Sequence, residues 1–253
     1  MKKFLGKKIL LPMLALMLAI PMAIGLSACG GSGQTPPDMT TLSGFATAFN
    51  TSTNFVITIV SDEDGFVGTT TVTVNDNSVM VVIDADDWSE EMIAWRNGDE
   101  FIMYQRDGIR GHDEQIGWNE WEYDVIPFGA MGLTWSDVLS ELAQRSTFAG
   151  TLGADWHATG EGEFKLLEDT VVSETEGTWG EDGVEERWTS SVTLLEGATL
   201  LHTGNVVVIE GTSVSEDRDY IDGVLEWEGS FTSEGIFTIT LGNAPVITRP
   251  VIV

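Results

Sequence analysis

The chain has 253 residues, of which 40 are Asp or Glu and only 12 are Lys or Arg, for a formal charge of −28. Nucleic-acid phosphates and anionic lipid headgroups repel such a surface, which excludes both as direct partners; a cationic partner or a salty habitat suits it. With a single cysteine the chain can build neither a disulfide framework nor a thiolate metal centre.

The first residues read as an export signal. Lys2, Lys3, Lys7 and Lys8 precede an almost wholly apolar run over 9–26, which ends in Leu26-Ser27-Ala28-Cys29. That tetrapeptide resembles a bacterial lipobox. The resemblance implies cleavage before Cys29, a diacylglyceryl group on its thiol, and a chain held by lipid on the extracytoplasmic face of the cell membrane. A transmembrane helix is the competing reading, since the run is long enough to cross a bilayer. Residues 29–37 carry no apolar side chain able to pack once Cys29 is acylated, and read as a tether. Removing residues 1–28 takes away four lysines and no acids, so 8 basic residues face 40 acidic ones, a formal −32. Residues 38–253 are then expected to form one β-rich domain that relies on its core.

Two short helices punctuate that domain. Asp38 is expected to cap the first, in which Met39, Leu42, Phe45, Ala46 and Phe49 form an apolar stripe. Thr134 and Asp137 make a capping-box pair for the second, whose stripe is Trp135, Val138, Leu139, Leu142 and Ala143, with Arg145 at the negative end of its dipole. The remainder reads as strands. Residues 54–60 set Phe55, Ile57 and Ile59 on one face, and 69–74 alternate Thr with Val. Turn signals recur at Asp64-Gly65, Asn97-Gly98, Asp107-Gly108, Asp182-Gly183, Glu196-Gly197, Glu210-Gly211 and Asp222-Gly223. Because short turns join the strands and helix-length crossovers are few, the sheet is expected to be antiparallel.

The order of lipobox, small-residue tether, amphipathic helix, strand 54–60, successive hairpins, mid-chain helix and closing strand 231–241 resembles the LolA/LppX-like lipoproteins. The resemblance implies a mainly β (α+β) fold: a curved antiparallel sheet, half-barrel-like, with short helices on its concave face. It also implies an apolar hollow that takes a lipid or acyl chain. Architecture matches, not a set of functional residues. From the helical stripes, the candidates to line such a hollow are Phe45, Phe49, Trp135, Leu139 and Leu142.

Residues 79–83 and 101–104 are apolar on both faces, as strands are when each side is covered. Nine tryptophans are spread along the chain, several in acidic surroundings, as in Trp118-Asn119-Glu120-Trp121, where part of each ring is expected to be exposed. Chemistry-bearing patterns are sparse. His112, His157 and His202 fall in no zinc motif, and the acid clusters 62–64, 84–87 and 216–219 lack the spacing of a calcium loop. No nucleophile elbow, phosphate loop or dinucleotide fingerprint occurs, so no catalytic residue, cofactor or metal is assigned and an enzyme is not expected. Two readings follow: a membrane-anchored lipoprotein that binds or carries a lipid or other apolar ligand, or an acidic surface adhesion or scaffold module without a cavity.

Overall fold

The computed structural model describes residues 37–251 except 64–65, 112–114 and 182–183. The signal, Cys29, nearly all of the tether, the turns at 64–65 and 182–183 and His112 therefore lie outside the described residues. One curved, unclosed antiparallel sheet carries the fold. Its strands are β1 Phe55–Glu63, β2 Phe66–Asn75, β3 Ser78–Ala85, β4 Trp88–Asn97, β5 Glu100–Arg110, β6 Ile116–Trp118, β7 Glu122–Pro127, β8 Trp156–Gly160, β9 Glu163–Leu166, β10 Thr170–Glu181, β11 Val184–Leu194, β12 Thr199–Thr203, β13 Val206–Ile221 and β14 Val224–Leu241. Hairpins in sequence order run β1 to β5, and β1 also pairs with β14, so first and last strands meet in the middle of the sheet. β13 then forks: residues 206–210 pair with β12, and residues 213–221 with β11 and so with β10.

Strand alternation places Phe55, Ile57, Val72, Val74, Val79, Val81, Met92, Ala94, Val207, Ile209 and Ile239 on one face, all within a single buried cluster. Helices α1 Leu42–Thr51, α3 Trp135–Leu142 and α4 Arg145–Leu152, with the single turn α2 Phe128–Met131, supply the other half of that cluster. This is the inner face. Its helices are too short to be stable alone, so burial of their apolar stripes against the sheet holds them. Each fully buried Phe or Leu contributes about 1.5–3 kcal/mol relative to exposure.

Helix boundaries correct two sequence expectations. The cap of α1 is Thr41, whose hydroxyl accepts from the Gly44 N–H at 3.0 Å; the Asp38 carboxylate instead accepts from the backbone and hydroxyl of Thr40. The second expected helix stops at Leu142, the chain turns through Gln144 at φ 48°, and Arg145 opens α4 rather than ending α3. The capping box is present as expected, Thr134 and Asp137 bonding each other's backbone.

Turn signals divide into two kinds. Asp222-Gly223 connects β13 to β14 with both residues at positive φ, the type I′ geometry that suits strand twist. In the β4–β5 hairpin the two loop residues are Gly98 and Asp99, because Asn97 still pairs with Glu100. Asp107-Gly108 and Glu210-Gly211 are not turns; both dipeptides lie inside strands. A Cβ at Gly108 would lie 2.5 Å from Ile116 of β6, and one at Gly211 would lie 2.7 Å from Ala198, so these glycines admit a neighbour rather than reverse the chain.

The outer face explains the doubly apolar strands. After β14 the chain crosses it as an irregular strap over residues 242–251, and Ile247 is buried with Ile93, Ile102 and Tyr104. Polar bonds fasten the strap: Ala244 N–H donates to Asn54 Oδ1 at 2.9 Å, Asn75 Nδ2 to the Pro245 carbonyl at 3.0 Å, and Arg249 Nε to the Tyr104 hydroxyl at 2.5 Å. Beside it Arg106 lies between the rings of Trp118 and Trp121, at 4.3 and 4.5 Å from their centroids, and pairs with Glu91 at 2.5 Å. Those two tryptophans, half-buried, thus have a structural partner.

Candidate functional site: the uncovered end of the inner face

All five residues marked from the helical stripes converge on one cluster. Phe45 and Phe49 of α1 are fully buried, and Trp135, Leu139 and Leu142 of α3 are buried beside them. Phe49 packs edge-on against Phe55 at 5.2 Å, Phe45 against the His202 ring at 5.5 Å, and Trp135 Nε1 donates to the Asp76 carbonyl at 2.9 Å. His202 is a core residue here, its Nε2 lying 3.0 Å from the Gly204 carbonyl. His157 is at the surface, 3.8 Å from Asp155.

Arg145 is the least expected member. Its guanidinium lies under α1, donating to the carbonyls of Asn50 at 3.0 Å and Ser52 at 2.6 Å, and it stands 5.0 Å from the Phe55 ring centre. A cation at these orphan carbonyls complements the negative end of the α1 dipole. Burial holds the guanidinium below its ordinary pKa, and Nε is buried without a partner. Glu141 and Glu90 titrate unusually. Burial, with Asp137 nearby, pushes the Glu141 carboxyl up to about 7; burial and then Asp107 push Glu90 up as well, and Gln105 donates to Glu90 at 3.3 Å.

Along β14 the inner face runs past the helix layer. Leu241 is 7% exposed and Ile239 0%; Phe237 meets Phe148 of α4 edge-on at 6.1 Å; further along the same face, Phe231 is 43% and Trp227 45% exposed. Cross-strand register sets Trp188, Asp219 and Trp227 in one row of this face, and Val192, Ser215 and Phe231 in another. The Trp227 ring covers Gly229, where a Cβ would lie 2.4 Å from it, and reaches Phe231 at 6.4 Å between centroids. Trp188 is 3% exposed, and its indole N–H is buried without a hydrogen bond. Burial, then the neighbouring Asp217, raises the Asp219 carboxyl above its ordinary value. The arrangement is an aromatic shelf with carboxylates set into it, on the same sheet face as the core but beyond its helices, with Ser213, Ser233 and Gly235 between the two. The signal for it lies in the sequence, since Trp227, Gly229 and Phe231 alternate on one strand face.

Acid clusters serve other ends. Asp84 accepts from the Ser89 hydroxyl at 2.5 Å and pairs with Arg110, while Arg218 pairs with Glu228 at 2.7 Å and Glu216 at 3.4 Å. Among the described residues, no group of three or more His, Cys, Asp or Glu could hold a metal ion, and no helix is long and apolar enough to cross a membrane.

No family model matches the chain, and no curated protein matches it. Two solved structures align with most of its length. One is MucB in complex with MucA(peri), at 11% identity over 82% of this chain and 96% of that one, with a TM-score of 0.09. The other is the MucA/MucB complex of Pseudomonas aeruginosa, at 8% identity over 82% and 100%, with a TM-score of 0.12. Superpositions of this quality carry no argument about this chain.

Proposed function

We propose that the chain is an exported lipoprotein, anchored through Cys29 on the extracytoplasmic face of the membrane, that holds an acyl chain or similar apolar ligand on the inner face of its half-barrel. The observation that carries the reading is the change along one face of β14, from fully buried at Ile239 to aromatic rings nearly half exposed at Phe231 and Trp227, beyond Ser233 and Gly235. Exposed aromatic rings on the same sheet face as a core, outside its helical cover, gain by taking an apolar guest. Brominated fatty acid, added to the full chain purified in mild detergent, tests it through tryptophan quenching. Quenching that saturates, and that falls in Phe231→Asp, supports the reading; quenching that grows linearly and is the same in the variant contradicts it.

Complete burial of Phe45 and Phe49 favours a second reading, in which the helices and sheet form a solid core and the acidic domain serves as an adhesion or scaffold module. Linear, variant-independent quenching is the result that reading requires.

A further inference from the structure

Among the described residues, the first half of β14 has an open backbone edge. Leu241 N–H donates to the Asn205 carbonyl, and Gly242 N–H to that of Asn54, so odd-numbered residues of β14 face β13 and even-numbered ones face β1. The β13 register is regular back to Trp227, which turns the N–H and C=O groups of Glu228, Ser230 and Thr232 away from β13. β1 pairs no further than Asp62 opposite Glu234, and among the described residues no other strand pairs with this side of β14 over 224–233. Open edges invite an added strand unless they are blunted, and here the blunting is a bulge beside the turn, at the register shift between Asp219 and Tyr220, together with charge.

Side chains along this edge specify the guest. Trp227 and Phe231 are exposed on the inner face, with Val224 and Leu225 exposed at the tip. Residues 214–233 hold six acids and one base, Arg218, which Glu216 and Glu228 already engage. A second copy is disfavoured, since its identical edge would set Glu226 and Glu228 against like charge on a chain of net charge −28. We propose that the edge of β14 over residues 224–233 binds an extended, basic segment of a partner protein as an added strand, its alternate apolar side chains beside Trp227 and Phe231 and its Lys or Arg residues toward the acids. Main-chain bonds supply affinity in such a mode, and the alternating side chains supply selectivity. The strand would lie beside the same Trp227 and Phe231 rings as the proposed acyl ligand, but the main-chain bonds it makes along the edge do not require that ligand.

The probe is an eight-residue peptide of alternating Lys and Val, with the Glu and Val counterpart as control, added to the full chain in detergent micelles. Binding is read by fluorescence anisotropy, and its place by hydrogen exchange. The Lys peptide is expected to bind, to slow exchange at the amides of Glu228, Ser230 and Thr232, and to lose about tenfold or more in affinity in Ser230→Pro. That substitution removes an outward N–H without removing a bond to β13, so the hairpin is expected to survive. Glu226→Lys is the second variant and weakens binding through charge alone. Unchanged exchange at those three amides, equal binding in both variants, equal binding of the Glu peptide, or dimerisation of the chain through this edge would each overturn the proposal.

Discussion

The Arg145 guanidinium donates to the Ser52 carbonyl at 2.6 Å, and through that bond the first residue of α4 closes the last turn of α1. It also donates to Asn50, so one side chain from the middle of the chain fixes the helix at its beginning. Removing it leaves two carbonyls without their charged partner. Arg145→Ala is expected to cost roughly 2–4 kcal/mol of unfolding free energy, with Arg145→Lys recovering only part, because an ammonium cannot reproduce the planar fork. Denaturant unfolding of the two variants checks this; an Ala variant within about 0.5 kcal/mol of the parent would show that the contact is incidental.

What was legible in the sequence, and what was not, follows from how local each cause is. The Thr134–Asp137 capping box and the Asp222-Gly223 turn are decided within four residues, and both stand where the sequence indicates. α4 is decided elsewhere: its segment Arg145-Ser146-Thr147-Phe148-Ala149-Gly150-Thr151-Leu152 is rich in weak helix formers. Tertiary packing holds it, with Phe148 and Leu152 in the core and Gly150 so close to the Val172 carbonyl that a Cβ would lie 1.9 Å away. The strap over residues 242–251 has no periodicity to read, although Val79 to Ile83 and Phe101 to Tyr104 imply that something covers the second face. Of the candidate site, the five stripe residues were legible because helical spacing gathers them. Of the shelf, the sequence shows only the alternation of Trp227, Gly229 and Phe231 on one strand face; their exposure was not legible, because it follows from the reach of β14 beyond β1.

The strap is expected to be a stability element. Ile247→Ala removes the one buried strap side chain that packs with Ile93, Ile102 and Tyr104, for a cost of about 2 kcal/mol or more. Ile247→Asp should cost more and expose an apolar outer face, visible as dye binding below the unfolding transition. An Ile247→Asp chain as stable as the parent would show that the strap merely rests on the sheet.

Glu141 makes stability depend on pH in a definite direction. Its carboxyl titrates near 7 in the folded chain and near the ordinary value of 4.5 when unfolded. The folded state therefore binds the extra proton between those values, and its advantage is present below about 4.5 and lost as pH rises through about 7. Glu90, raised in the same sense, adds to the trend. Thermal midpoints of the parent and Glu141→Gln are expected to converge toward pH 5, with the Gln variant the more stable at pH 8. Parallel profiles across that range would assign the trend to net charge instead.

The proposed anchoring makes Cys29 the acyl acceptor. Cys29→Ser is expected to abolish incorporation of a labelled fatty acid and to leave the chain either uncleaved or released, since two acyl chains give stable attachment where one does not. Label retained at the parent level in the Ser variant would show that the thiol is not the acceptor.

The most direct test of the central claim is photocrosslinking in intact cells with a diazirine-bearing fatty acid, followed by mapping of the crosslinked peptides. The account expects crosslinks within residues 206–241, around Phe231 and Trp227, falling about tenfold in Phe231→Asp while the label on Cys29 persists. Label confined to the Cys29 peptide, or crosslinks in 206–241 that the Asp substitution leaves unchanged, would contradict an acyl ligand on the inner face.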